Sequence, residues 1–145
     1  MRSFKDYLEL ALEKKKKLGE IVLLEQSTEG EQEPEKLRKK MAQNLKVMKE
    51  AVHSGLMEER KSLSGIIGGD ARKVDLLRQE GKTLLGDKIN KTIARALAVM
   101  EVNASMGKIV AAPTAGSCGV LPAVLLTCEE LLEAEEKELV TALFC

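Results

Sequence analysis

The sequence has few aromatic residues and lacks the apolar segments of exported or membrane proteins. Aromatic residues make up 2% of its 145 residues, with no Trp, one Tyr and two Phe. Because the strands of β-sandwiches and barrels rely on aromatic and β-branched side chains, this scarcity argues against an all-β protein. No apolar run approaches the roughly 18 residues of a membrane span, and the N-terminus lacks the apolar core of a secretory signal. We therefore expect a helical protein of the cytoplasm, with no membrane partner.

An excess of either charge is also absent. Lys and Arg number 23, as do Asp and Glu, so the formal net charge is +0. Without a basic excess, nucleic acid is not an expected partner. Hydrophobic residues make up 44% of the chain, enough for a core. At about 100 to 200 residues per domain, the length allows one ordinary domain or a piece of a larger one.

Cysteine is scarce, and its placement excludes a disulfide framework. The three cysteines, Cys118, Cys128 and Cys145, are an odd number and lie late in the chain. In a reducing compartment they are expected to be free thiols or ligands. The only histidine, His53, has no Cys, Asp or second His at ligand spacing, so it is a weak candidate for metal binding or catalysis.

The first 60 residues have the apolar spacing of a helical lead-in. Ser3 stands three residues before Asp6, which predicts a capping box for a helix that begins near Phe4. Residues 14–17 are four lysines, and flanking glutamates favour a solvated helix face there over a phosphate contact. The polar residues 26–33 predict a loop, after which Pro34 suits the first turn of a second helix that bends or ends near His53.

Later helices are predicted from caps and periodicity. One covers about residues 70–79, and the next runs from Asp87, as N-cap, to near Ser105, with Gly107 as its stop. Another begins around Pro122, and a last apolar pattern starts at residue 138 and stops at Cys145 without a cap. An autonomous domain seldom ends in this way, so the sequence predicts an incomplete piece of a larger all-α, multi-helix domain.

Two glycine-rich loops, residues 62–71 and 107–122, interrupt the helical pattern. Gly65, Gly68 and Gly69 free the backbone of the first loop, and Asp70 could cap the helix after it. The second loop leads into a helix N-terminus, whose amides favour a carboxylate or phosphate. Sharp connections in a close-packed bundle are the alternative reading. Neither loop has the spacing of a P-loop or of a dinucleotide fingerprint, so nucleotide binding is disfavoured.

Residues in both loops carry a resemblance to a known family. Residues 111–125 read Ala-Ala-Pro-Thr-Ala-Gly-Ser-Cys-Gly-Val-Leu-Pro-Ala-Val-Leu, and residues 64–71 read Ser-Gly-Ile-Ile-Gly-Gly-Asp-Ala. The first resembles the signature of the α chain, or catalytic domain, of iron-sulfur-dependent L-serine dehydratase, and the second resembles that family's Gly-Gly-Asp element. The resemblance covers residues 1–145 in order and spacing, as the N-terminal portion of such a catalytic domain.

The resemblance implies the deamination of L-serine to pyruvate and ammonia with a [4Fe-4S] cluster and without pyridoxal phosphate. One iron of the cluster would lack a cysteine ligand and bind a substrate oxygen. The resemblance also implies that the cluster cysteines lie downstream of this segment, which leaves Cys118 as a weak candidate ligand. The chain alone is then expected to be inactive, and its catalytic base is not assigned.

The resemblance further implies where L-serine would bind. Asp70 has two open roles, as a partner of the substrate ammonium or as a helix cap, and Lys108 is treated as a flanking surface residue. The remaining half of the α chain, a β chain, or both are the implied protein partners. A non-enzymatic helical interaction module is the alternative function. The candidate substrate-binding residues are Ser64, Gly65, Gly68, Gly69, Asp70, Thr114, Gly116, Ser117 and Gly119.

Overall fold

The computed structural model describes residues 3–145, and within that range every regular element is a helix. The expected all-α class is confirmed. None of the described helices is long and apolar enough to cross a membrane. The helices are α1 (Phe4–Lys14), α2 (Leu18–Glu29), α3 (Pro34–Met57), α4 (Asp70–Gln79), α5 (Gly86–Ala104), α6 (Ser117–Leu132) and α7 (Glu136–Ala142).

The capping box predicted for α1 is confirmed. The backbone N–H of Asp6 donates to the Ser3 hydroxyl at 3.3 Å, and the Ser3 N–H donates to the Asp6 carboxylate at 2.7 Å. The prediction that residues 14–17 form one helix face is wrong, because Lys15 adopts a left-handed φ of 50° and ends α1. Lys17 precedes α2, and its ammonium donates to Glu138 at 2.7 Å.

The predicted boundaries of α2 and α3 are partly right. The loop expected over residues 26–33 is too long, because α2 continues to Glu29 and Gly30 is its C-cap. Pro34 begins α3, as predicted. The helix does not end or break at His53 and continues to Met57. Gly55 serves packing instead, since a Cβ there would lie 2.4 Å from the carbonyl oxygen of Ala98.

Helix α4 has the predicted bounds, whereas the predicted caps of α4 and α5 are wrong. Asp70 is the first residue of α4, and the N-cap is Gly69. The side chain of Asp70 pairs with Lys73 at 3.0 Å. Leu85, rather than Asp87, is the N-cap of α5. Asp87 lies in the first turn of the helix, where its negative charge interacts favourably with the helix dipole.

The end of α5 and the start of α6 also differ from the prediction. The left-handed residue after α5 is Met106, with φ of 61°, and not the expected stop, Gly107. Helix α6 begins at Ser117, so Pro122 lies inside it. Paired hydrogen bonds between Thr114 and Ser117 form a turn before the proline, so the helix starts five residues earlier than expected.

The chain divides into two compact units, with a boundary inside α3. The first contains residues 3–43 and Ala134–Cys145, in which α2 packs against α1 and α7. The second, Asn44–Glu133, contains α4 to α6, with α5 packed against both neighbours. Its fully buried side chains include Leu45, Val99 and Pro122. Both glycine-rich loops belong to this second unit.

Candidate functional site

Helix α5 contacts the segments that follow both glycine-rich loops, through two consecutive residues. The side chain of Met100 lies against Gly119 in α6, and the carboxylate of Glu101 binds the start of α4. Because α5 packs against both α4 and α6, its C-terminal half fixes where each loop enters its helix. Helix α5 therefore contacts the chain at the point where each glycine-rich loop enters its helix.

The carboxylate of Glu101 accepts three backbone N–H groups at the start of α4. Gly69 N–H donates to Oε2 at 3.0 Å, while Asp70 and Ala71 N–H groups donate to Oε1 at 2.7 and 2.9 Å. Glu101 is 4% exposed. An internal carboxylate thus occupies the backbone amides at the start of α4. Glu101 was not predicted from the sequence. The one signal that could have indicated it is an acidic residue at a buried position of α5.

The first loop turns through glycines with left-handed φ angles. Gly65 and Gly69 have φ of 71° and 83° and open space around a built Cβ. Gly68 has φ of 141°, and a Cβ there would lie 2.0 Å from the carbonyl oxygen of Arg60, so only glycine fits. Ser64 is exposed, with its hydroxyl 3.0 Å from that of Ser62. Ser64 and the carboxylate of Asp70 are therefore both open to solvent.

Thr114 and Ser117 form a reciprocal cap where the second loop enters α6. The Thr114 N–H donates to the Ser117 hydroxyl at 3.1 Å, and the Ser117 N–H donates to the Thr114 hydroxyl at 3.3 Å. The Ser117 hydroxyl donates to the Thr114 carbonyl at 2.8 Å. Gly116, between them, is exposed, and nothing lies within 4 Å of a built Cβ. An accessible surface of hydroxyl groups and backbone results.

Cys118 and Gly119 face the protein interior instead of that surface. Cys118 is 7% exposed, with its Sγ 3.8 Å from Met100 Sδ. Gly119 is buried, and a built Cβ would lie 2.9 Å from the carbonyl oxygen of Ala96. The sequence-predicted binding residues thus differ in exposure, and Gly119 is the buried one among them. The exposed ones are Ser64, Gly65, Asp70, Thr114 and Gly116, and the half-buried ones are Gly68, Gly69 and Ser117.

Arg60 contacts both glycine-rich loops, although no motif pointed to it. Its carbonyl oxygen meets Gly68, and its Nη1 would lie 3.3 Å from a Cβ built at Gly107. Its Nη2 donates to Glu58 at 2.6 Å, and its buried Nε has no hydrogen-bond partner. The backbone of Arg60 therefore lies against the first loop at Gly68, and its guanidinium lies near the start of the second loop at Gly107.

A second polar feature of this unit is a groove of about 400 Å³, lined in part by His53, Lys49 and Arg95. Its ion pairs balance most of its charge: Lys49 pairs with Glu129 at 2.6 Å, and Glu130 pairs with Lys91 and Arg95. Burial raises the pKa of Glu130, but hydrogen bonds from Lys91 and Arg95 outweigh that effect and hold the pKa below its ordinary value. His53, the only histidine, is exposed in this groove.

The cysteines do not form a cluster site among the described residues. Cys118 is buried, Cys128 is half-buried and Cys145 is exposed. Cys118 and Cys128 lie ten positions apart on α6, which separates them by about 15 Å along the helix axis. Within residues 3–145 no group of three or more His, Cys, Asp or Glu residues could hold a metal ion. These residues therefore do not fit an iron-sulfur cluster.

Comparison with known proteins extends the sequence resemblance over the whole chain. The family model described as serine dehydratase alpha chain matches residues 13–145. The chain is 36% identical over 143 residues to the probable L-serine dehydratase alpha chain of Bacillus subtilis, which covers 99% of this chain and 47% of that relative. It is 34% identical over 130 residues to the L-serine dehydratase alpha chain of Peptoniphilus asaccharolyticus, covering 90% and 44% of the two chains.

Shorter matches reach further relatives. Over 49 residues the chain is 45% identical to L-serine dehydratase 1 of Escherichia coli, covering 34% of this chain and 11% of that protein. No solved structure matches the chain. The chain spans about half the length of the two alpha chains it matches most fully, at 47% and 44%. With 133 of its 145 residues inside the family model, the chain belongs to the serine dehydratase alpha chain family.

Proposed function

We propose that this chain takes part in the conversion of L-serine to pyruvate and ammonia, in the cytoplasm, as one portion of a larger helical catalytic domain. The observation that carries the proposal is that the segments at the ends of both glycine-rich loops contact consecutive residues of α5, Met100 and Glu101. The names of the relatives support the reaction, since they are called L-serine dehydratases. The reaction removes the α proton and the β hydroxyl of serine, and the resulting aminoacrylate tautomerises to an imine that water hydrolyses.

In this proposal the second loop binds the carboxylate of serine. Thr114 and Gly116 are exposed and Ser117 is half-buried, so a small anion can reach this turn. It would take over the hydroxyl donors that Thr114 and Ser117 now direct to the Ser117 hydroxyl and the Thr114 carbonyl. Hydrogen bonds from hydroxyl and backbone donors to an ionised carboxylate are stronger than those between neutral groups. Such contacts would orient the substrate without moving a proton.

The first loop is proposed to bind the ammonium and the hydroxyl of the substrate. The carboxylate of Asp70 is 63% exposed and pairs with Lys73 at the surface, so it can exchange that partner for the ammonium of serine. Ser64 offers a hydroxyl nearby in sequence, and Gly65, Gly68 and Gly69 shape the turn that carries both residues. Gly119 contributes only by letting α6 approach α5.

The [4Fe-4S] cluster of the proposed enzyme requires ligands from outside the described residues. The three cysteines of the chain differ in burial and do not converge, as described above. Serine turnover by this chain alone is therefore not expected. A polypeptide that supplies the other half of the relatives' length, a β chain, or both would complete the site.

Helix α6 presents a surface suited to such a partner. Leu121, Val124 and Leu131 are 43%, 45% and 45% exposed and share one face with the half-buried Cys128. The opposite face, which includes Ala123 and Leu126, is buried against the other helices of the second unit. Apolar residues on all faces are typical of a helix that is buried by protein on both sides.

Anaerobic iron-sulfur reconstitution, read by visible absorption together with a serine-to-pyruvate assay, tests this proposal. The chain alone should give neither a cluster nor pyruvate, and both should appear when the other half of the α chain is supplied. Pyruvate formation by the completed protein should fall in the Ser117→Ala variant. A cluster and pyruvate from the 145-residue chain alone would contradict the proposed location of the ligands.

The same α6 surface favours a second candidate function, a helical module that pairs with another chain without catalysis. Binding to the other half of the α chain in size-exclusion chromatography, with no pyruvate from the reconstituted complex, would select this function. Val124→Glu should abolish that binding, whereas Lys137→Glu, in the other compact unit, should leave it unchanged. Pyruvate from the complex would exclude a purely non-enzymatic role.

A further inference from the structure

Glu101 is a buried acidic residue that the proposed function does not use. It is 4% exposed and lies near the C-terminal end of α5, against the start of α4. A charged side chain at such a depth is costly unless hydrogen bonds compensate for lost hydration. Here three backbone N–H groups provide that compensation, at 2.7 to 3.0 Å.

The first turn of α4 explains why those donors are available. The first N–H groups of a helix have no partner within the helix and are normally satisfied by the side chain of the N-cap residue. The N-cap of α4 is Gly69, which has no side chain to supply an acceptor. Glu101 supplies it from a position 30 to 32 residues away, on another helix.

We propose that Glu101 is a positioning residue that fixes the first glycine-rich loop by acting as the internal carboxylate ligand of its amides. Both oxygens are used, so the carboxylate defines the position and the orientation of the Gly69–Asp70–Ala71 backbone. The side chain of Asp70 is thereby held toward solvent, beside the loop that carries Ser64.

The proposal has a consequence for substrate binding, which rests on the proposed function. Because Glu101 occupies the amides at the start of α4, the carboxylate of serine is left to the second loop, at Thr114 and Ser117. The two glycine-rich loops then have different tasks. The first presents side chains to the ammonium and hydroxyl of serine, and the second binds its carboxylate.

Amide hydrogen exchange of the ¹⁵N-labelled chain, measured by NMR, tests the role of Glu101 directly. In Glu101→Ala, exchange at the amides of Gly69, Asp70 and Ala71 should become about tenfold faster or more. Acetate has the size of the removed carboxymethyl group, so it should restore their protection, whereas chloride at equal ionic strength should not. Glu129→Ala is the matched control, since Glu129 pairs with Lys49 and does not touch the loop.

Glu101→Gln keeps the volume of the side chain and guards against a variant that fails to fold. Its one carbonyl oxygen can still accept from Asp70 and Ala71, but its NH₂ group would face the N–H of Gly69. Faster exchange confined to Gly69 is therefore expected. Unchanged exchange at Gly69 in Glu101→Gln, or a Glu101→Ala variant that responds equally to acetate and chloride, would overturn the proposal. The readout requires neither serine nor a cluster, so failure to find serine turnover would not affect it.

Discussion

Gly119 of α6 lies against the carbonyl oxygen of Ala96 of α5, so closely that a Cβ at Gly119 would be 2.9 Å away from it. Gly116, three residues earlier, has nothing within 4 Å of a built Cβ. The two glycines of one motif therefore meet different demands. Gly119 permits the approach of two helices, whereas Gly116 keeps a surface open.

This difference predicts opposite effects of the same substitution. Gly119→Ala should lower the free energy of unfolding by about 1 to 3 kcal/mol, because the added methyl group overpacks the α5–α6 contact. Gly116→Ala should change it by less than about 0.5 kcal/mol, since Gly116 is exposed and has an ordinary φ of −70°. Urea denaturation followed by circular dichroism measures both values. Equal losses in the two variants would contradict the packing role of Gly119.

The reciprocal cap at the start of α6 gives a second prediction. Ser117→Ala removes the hydroxyl that accepts from the Thr114 N–H at 3.1 Å and donates to the Thr114 carbonyl at 2.8 Å. The variant should be less stable by about 1 kcal/mol, the usual cost of losing such a cap. Thr114→Ser keeps a hydroxyl at the other position and serves as the control. Urea midpoints that are the same for Ser117→Ala and the unmodified chain would contradict the capping role.

Local sequence signals predicted most helices but not the partners of their ends. The Ser3–Asp6 capping box, Pro34 and the bounds of α4 depend on neighbouring residues, so the sequence could predict them. The cap of α4 comes from Glu101, about 30 positions later, and no local pattern indicates such a contact. Pro122 was expected to start α6 because proline favours a first turn, yet the Thr114–Ser117 turn starts that helix earlier.

The candidate site was predictable to the same extent. The composition of the two loops identified their exposed residues, including Ser64 and Thr114. Arg60 could not be found, because its importance comes from tertiary approach to Gly68 and Gly107, 8 and 47 positions away. Sequence spacing alone also gave Gly119 the same role as Gly116, since burial is decided by the packing of α5.

The burial of the cysteines predicts their order of alkylation in the folded chain. Cys145 is exposed and should react first with N-ethylmaleimide, followed by the half-buried Cys128. Cys118 should react last, because it is 7% exposed and its thiol donates to the carbonyl of Ala115. Mass spectrometry of peptides from a time course gives the order, and alkylation in urea is the control in which the differences should disappear. Early modification of Cys118 in the folded chain would contradict its buried position.

The ion pairs of Glu130 predict how stability depends on pH. The pKa of this carboxyl is held below its ordinary value of 4.5 by Lys91 and Arg95, despite the opposing effect of burial. A folded pKa below the unfolded one means that the ionised carboxylate stabilises the fold fully above the unfolded pKa. That contribution is lost as pH falls through the lower folded pKa. Glu130→Gln should therefore be less stable than the unmodified chain at about pH 6 and should lose less stability on transfer to about pH 3.

Urea midpoints at the two pH values measure this effect, and Glu50→Gln is a suitable control. Glu50 is 61% exposed and lies 3.9 Å from Lys46, so its ion pair is screened by water and should contribute little. Arg95, by contrast, has a side chain that is 9% exposed, and Glu130 is the acidic group that neutralises it. If the difference between Glu130→Gln and the unmodified chain were the same at both pH values, the stabilisation would come from packing of the Glu130 side chain and not from its charge.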